Sequence, residues 1–292
     1  MSKLLLVGAT GYLGKRILNH FLTEGYEVTI ITNCLSNLKS INEFLGNVRN
    51  LNSDRDDFDD RLNEQRYDVF ISAAVDYGKV TNSTNVINCN VILPLKIIES
   101  IKYKSSLLVI TFDSFFSKNL FYQDIHQSKY TLSKKQLIEW LEFESKTTSL
   151  SSVILRLEHL VGPDESDLKF NGWLMNNLKS DITEIKLSEG NQIRDFVYVD
   201  DVIDAIQILV KNNFLFVGKN TIVEVGSGVG HTIKEFVQLL HFTCKSKAKL
   251  IFGALPYKDD DLMESVANNS VLISLGWKPI TRLDEIVNKI IK

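Results

Sequence analysis

Along the first half of the chain, short apolar runs alternate with segments of helical periodicity. The runs Leu4–Val7, Val28–Ile31, Val69–Ala73, Leu107–Phe112 and Val153–Leu157 predict β-strands. Between them, Gly14–Glu24 and Leu93–Ile101 carry apolar residues at the spacing of a helix with one buried face. The later runs are continuously apolar rather than alternating, as expected where helices cover both faces of a parallel sheet. Repeated strand–helix alternation predicts an α/β fold with a doubly wound parallel sheet. No internal repeat is present.

After Pro163 the pattern becomes less regular and more polar, and it is interrupted by Gly190, Gly226, Gly228, Gly230 and Gly253. This predicts a first domain over 1–162 and a smaller lobe over 163–292, with part of 190–215 returning to the first domain. The 292 residues are 44% apolar and 24% charged, an ordinary composition for a globular chain with a sizeable core. With 33 basic and 36 acidic residues, there is no basic footprint for nucleic acid. The acidic stretch Ser53–Arg66 is interleaved with arginine and reads as a solvated helix face, so no metal is expected. Cys34, Cys89 and Cys244 lie far apart in no redox or metal spacing and suit a reducing compartment. The opening apolar run stops at Gly8, too short for a secretory segment, and none reaches the roughly 20 residues of a membrane span. The expectation is a cytoplasmic protein that engages no membrane.

Candidate chemistry begins at the first strand–helix junction, KLLLVGATGYLGKRILNHFL. Gly8, Gly11 and Gly14 fall between strand and helix, where glycine allows a tight turn and close approach to a pyrophosphate held by the helix start. This is a Rossmann-type dinucleotide site. The candidate cofactor contacts are Gly8, Thr10, Gly11, Tyr12, Leu13 and Gly14, then Thr32 and Asn33 after the second strand, and Ala73 and Ala74 after the third. An acidic ribose ligand is expected about 20 residues past the glycines, yet Thr32 and Asn33 stand there. Nothing in that strand would repel a 2′-phosphate, so NADPH is favoured and NADH remains usable. Lys39 is either a phosphate partner or a surface lysine. The second glycine cluster, Gly226–Gly230, reads as a structural turn, because Thr232 and Glu235 after it have capping-box spacing.

Tyr130 and Lys134 stand four apart, on one helical face, in the order Y-T-L-S-K. A nearby ammonium favours the phenolate, making tyrosine a usable acid–base group, and the same lysine would hold the nicotinamide ribose. Ser114 and Thr111, in ITFDSFFSK, are the candidate hydroxyls for orienting a carbonyl. Ser114 is favoured, since it shares a face with Phe112 if the strand continues.

GATGYLG, YTLSK, LRLEHLVGP (155–163), GNQIRDFVYVDDV (190–202) and MESVANNSVLISLGWKP (263–279) together resemble the extended short-chain dehydrogenase/reductases of the NAD-dependent epimerase/dehydratase family. Within it, DSFF (113–116), RLEH (156–159) and FGALPYKDDDLMESVANN (252–269) are most similar to CDP-3,6-dideoxyhexose synthases. The resemblance implies NADPH-dependent reduction of the 4-ketone of a CDP-linked keto sugar, with 163–292 mostly binding substrate. It assigns the diphosphate to Arg194, a second charge to Lys258, and to His159 either a hydrogen bond donated to substrate or a role in the wall of the site. The family places its strand-end hydroxyl where this chain has Phe112. Asp200 and Asp201 read as a helix start. A homodimer is allowed. The alternatives are a 4-epimerase or 4,6-dehydratase with bound NAD, and a cofactor-binding sensor without catalysis. Asp113 followed by Ser114 lacks the second carboxylate of the dehydratases.

Overall fold

The computed structural model describes residues 2–118, 125–257 and 261–291, with the backbone alone at 125–128. Its strands in chain order are β1 (Lys3–Val7), β2 (Glu27–Thr32), β3 (Arg49–Asn52), β4 (Val69–Ser72), β5 (Leu108–Ser114), β6 (Ser151–Leu157), β7 (His159–Val161), β8 (Glu184–Lys186), β9 (Ile193–Tyr198), β10 (Asn220–Val225), β11 (Gly230–Thr232), β12 (Lys249–Ile251) and β13 (Glu264–Ser265). Two compact units result. Among the described residues, the first holds 2–117, 125–156 and 207–223, and the second holds 118, 157–206, 224–257 and 261–291.

The first unit is built on a seven-stranded sheet in the order β10-β6-β5-β4-β1-β2-β3, the doubly wound α/β fold expected. β1 pairs in parallel with both β2 and β4, so the strand order reverses beside β1. Such a reversal opens a crevice at the strands' carboxyl ends. The predicted strands form because their residues are buried on both faces: Leu4, Leu5 and Leu6 are each 0% exposed. β3 was not legible as a strand, because RNLN carries one apolar residue and lies at the sheet edge. β5 runs two residues past Phe112 and ends at Ser114.

The helical segment before β5 begins earlier than its apolar pattern suggests. A helix over Ser83–Ile87 passes through a widened π-turn at Asn88–Ile92 into Leu93–Ser100. Pro94, in the first turn of the last piece, has no N–H for the carbonyl of Asn90 and crowds it, a recognised cause of such widening.

In the second unit β9 is central, pairing in parallel with β7 and β13 and antiparallel with β11. Gly226–Gly230 is a turn, as expected. The fully buried Asp195 carboxylate accepts hydrogen bonds from the Ser227 and Gly228 amides, the Ser227 hydroxyl and the Ala267 amide. The capping box of Thr232 and Glu235 is formed. Asp201 is likewise structural, accepting from the Ile280 and Thr281 amides while its carbonyl takes the Trp277 indole N–H. Among the described residues, no helix is long and apolar enough to cross a membrane.

Candidate active site

The glycine loop joins β1 to the helix Tyr12–Thr23 at the crevice. Gly8 has φ +87°, and a Cβ there would meet the Ala74 nitrogen at 2.3 Å and the Ala73 carbonyl carbon at 2.5 Å. A Cβ on Gly14 would lie 1.9 Å from the Gly8 carbonyl oxygen. The predicted contacts Gly8, Gly14, Ala73 and Ala74 are thus packed backbone to backbone, and no side chain fits between them. Gly11 caps the helix without a side-chain bond, and the first turn carries no acid. Thr10, Tyr12 and Leu13 flank that cap. A helix start free of acidic side chains fits an anionic pyrophosphate. Gly14→Ala is expected to force the loop off Gly8, lowering the melting temperature and weakening binding of the nicotinamide dinucleotide, at a cost of about 1–3 kcal/mol. Thermal melts and a fluorescence titration check this.

At the end of β2, Thr32 donates its hydroxyl proton to the Asn50 side-chain oxygen Oδ1 at 2.8 Å. The Asn33 side chain accepts from the Leu35 amide and the Ser36 hydroxyl. Sequence reasoning missed Asp54, brought here by the end of β3. Its carboxylate accepts the Cys34 amide at 2.7 Å, placing an exposed acid in the loop after β2. No spacing rule finds it, because it arrives from another strand.

Tyr130 and Lys134 share the helix Ile125–Thr148, with the Lys134 ammonium 5.8 Å from the Tyr130 ring centroid. The phenolate expectation is corrected here. Burial, with Tyr77 and Asp113 nearby, pushes the Tyr130 phenol well above its ordinary pKa, so it stays protonated. Burial also lowers the Lys134 ammonium to about 8, with Asp113 opposing the fall. Tyr130 therefore keeps its proton beside a readily neutralised cation.

Asn90, 1% exposed in the π-turn, was not foreseen. Its side chain bonds the Asp76 amide and carbonyl, both at 2.8 Å, and donates to the Ser133 hydroxyl at 2.9 Å. Ser133 in turn donates to the Tyr130 carbonyl at 2.7 Å. This network ties the loop after β4 to the turn carrying Tyr130. An asparagine within an apolar helical run was the available signal, since its side chain competes with helix formation.

On β5 the pleat separates Thr111 and Asp113 from Phe112 and Ser114. Thr111 is 1% exposed, with no hydrogen-bond partner among the described residues. Ser114 is half-buried at the strand's last position and accepts the Phe116 amide at 3.4 Å. It is the more reachable hydroxyl.

Two of the predicted substrate residues lie in the second unit. Arg194, buried on β9, donates to the Asp261 carboxylate at 3.1 Å and to the Ile193 carbonyl at 2.9 Å. Asp261 also accepts from Gln192 at 2.6 Å. His159 lies 3.1 Å, through Nε2, from the Asn171 Oδ1, while the Asn171 amide group donates to Glu165 and Leu160. Asn171 is thus fixed with its oxygen towards the ring, so His159 Nε2 carries the proton and Nδ1 is an acceptor. The contact with Asn171 agrees with the role in the wall of the site that the sequence also allowed. Burial holds His159 neutral, at about 4. Lys258 lies outside the described residues.

Residues 4–226 match the model of the NAD dependent epimerase/dehydratase family. The chain belongs to this family. It is 34% identical to a CDP-abequose synthase of Salmonella typhimurium over 94% of this chain and 92% of that protein. A CDP-abequose synthase of Salmonella muenchen is 27% identical over 99% and 97%. Among solved structures, a UDP-glucose 4-epimerase of Stenotrophomonas maltophila with bound NAD superposes with a TM-score of 0.81 at 18% identity, covering 100% of this chain and 97% of that one. A dTDP-glucose 4,6-dehydratase of Bacillus anthracis in complex with NAD gives 0.80 at 15%, covering 100% and 96%. The fold and the family resemblance read from the sequence are both shown.

Proposed function

We propose that the protein reduces the 4-keto group of a CDP-4-keto-3,6-dideoxyhexose with NADPH, giving CDP-abequose or CDP-paratose. The observation that carries this reading is the Tyr130 phenol, held protonated beside Lys134 on a helix tied to the dinucleotide cradle. Similarity to two CDP-abequose synthases over nearly the whole chain supports the substrate class.

Gly8, Gly11 and Gly14 would hold the pyrophosphate and Lys134 the ribose; the bound nicotinamide cofactor supplies the hydride. Tyr130 donates its proton to the O4 oxygen as negative charge develops there. Lys134 stabilises the phenolate left behind, and Ser114 donates a hydrogen bond that orients the carbonyl. Arg194 binds the diphosphate through its fork. His159 lines the wall of the substrate site, held by Asn171. The second unit is in this reading the substrate-binding one.

Product analysis by mass spectrometry and NMR, with CDP-4-keto-3,6-dideoxyglucose and NADPH, tests the reading. A 4-hydroxy product with stoichiometric NADPH oxidation is expected. Tightly held NAD that is regenerated each turnover would instead mark an epimerase, and binding without turnover a sensor. Because neither Thr32 nor Asn33 opposes a 2′-phosphate, kcat/KM with NADPH should at least equal that with NADH. Asp54→Asn should raise the NADPH:NADH ratio further, since it removes an acid that β3 brings to that loop. Steady-state kinetics with both cofactors decides; a strong NADH preference in the wild type would sink it.

A further inference from the structure

We infer that Asp113 is a positioning residue: its buried carboxylate, clamped between Arg156 and Ser117, fixes the end of β5 and the turn after it, and so holds the Ser114 hydroxyl in place. This rests on the reading above, in which Ser114 orients the keto carbonyl. Asp113 is 2% exposed, and both of its oxygens are engaged. Oδ2 accepts from Arg156 Nε on the neighbouring β6 at 2.8 Å, and Oδ1 accepts from the Ser117 hydroxyl at 2.6 Å. Ser117 lies in the short 3₁₀ turn Phe115–Lys118, immediately after the strand. The clamp therefore spans from the residue before Ser114 to the third residue after it, closing a loop around the candidate hydroxyl. Buried Phe115, its ring centroid 4.1 Å from that of Phe116 and tilted 33° to it, packs the middle of that loop.

Without the clamp, Ser114 would sit at a free strand end, with one long bond from its oxygen to the Phe116 amide. A hydroxyl that must meet a carbonyl oxygen within hydrogen-bonding distance tolerates little such play, and a shift of about 1 Å in a positioned group costs on the order of 10²-fold in rate. The same geometry gives Asp113 no part in proton transfer. Both of its oxygens face Arg156 and Ser117 rather than a substrate, so neither is placed as the acid that dehydration would require at this position. The charge is also felt at the catalytic helix, where Asp113 opposes the loss of the Lys134 proton.

Ser117→Ala removes one arm of the clamp and leaves the Arg156 pair, so the fold is expected to persist. We expect kcat to fall about 10-fold or more, with NADPH affinity within twofold of wild type. The deciding measurement is a double-mutant cycle with Ser114→Ala. If the clamp acts through Ser114, the double variant is no slower than Ser114→Ala alone, because the hydroxyl to be positioned is already gone. Losses that multiply, or a Ser117→Ala enzyme with wild-type kcat, overturn the proposal while leaving the reductase reading intact. Ser114→Ala turning over at the wild-type rate overturns both the role of Ser114 and the clamp built on it. Asp113→Asn, which keeps shape and loses charge, gives a second check. A fall beyond about 10⁴-fold, with loss of the acidic limb of the pH profile, would mark Asp113 as a proton-transfer group and refute the positioning role.

Discussion

Tyr130→Phe is expected to lower kcat by about 10²–10⁴-fold while NADPH affinity and the melting temperature stay near wild type. The substitution deletes one hydroxyl and keeps the ring, so the ring contact with Tyr77, 5.2 Å between centroids, survives. The helix turn also survives, because Ser133 holds it through the Tyr130 carbonyl rather than the phenol. What is lost is the proton that burial retains on the phenol. Single-turnover reduction of the CDP-keto sugar, followed by NADPH absorbance, measures the chemical step directly. The pH profile carries its own signature. Lys134 is lowered to about 8, so it is a cation below that pH and loses its proton as pH rises through it. The wild-type kcat/KM should therefore fall on the alkaline side near 8. His159, held at about 4, is neutral throughout the range 5–8 and adds no limb there. A Tyr130→Phe enzyme with full activity would refute the mechanism.

The parts of the molecule legible in the sequence are those where one segment carries its own physical requirement. Gly8 and Gly14 mark a turn that admits no Cβ, and the requirement is met within a dozen residues. The Tyr130–Lys134 pair is legible for the same reason, because one helix sets its spacing. What escaped reading is set by the meeting of distant segments. Asp54 reaches the loop after β2 only because β3 pairs in parallel beside it. Asn90 meets Ser133 across 43 residues of chain, and Asp113 meets Arg156 across the same separation. The protonation of Tyr130 escaped for a related reason. Spacing showed the cation beside the phenol, but burial, which raises the phenol's pKa, is a property of the packed fold. The Ser114 register was conditional on where β5 stops, and strand ends are set by pairing with neighbours as much as by local sequence.

Arg194→Ala is expected to weaken CDP-sugar binding by about 10- to 150-fold, the effect of losing about 1.5–3 kcal/mol of charged hydrogen bonding, while leaving NADPH binding unchanged. The asymmetry follows from where the residue sits. Arg194 belongs to β9 in the second unit, and the glycine cradle belongs to the first. Its guanidinium is buried and held by Asp261, which is itself anchored by Gln192. Removing the cation strands that carboxylate, so a lower melting temperature is also expected, and affinity must be measured well below it. Asp261→Asn separates the two effects, because it discharges the partner and keeps the guanidinium. If Asp261 is a counter-ion that a diphosphate displaces, Asp261→Asn binds CDP at least as tightly as wild type. If Asp261 instead orients the guanidinium for the ligand, Asp261→Asn binds CDP more weakly. Calorimetry with CDP and with NADPH reads both variants, and unchanged CDP affinity in Arg194→Ala would remove this residue from the diphosphate site.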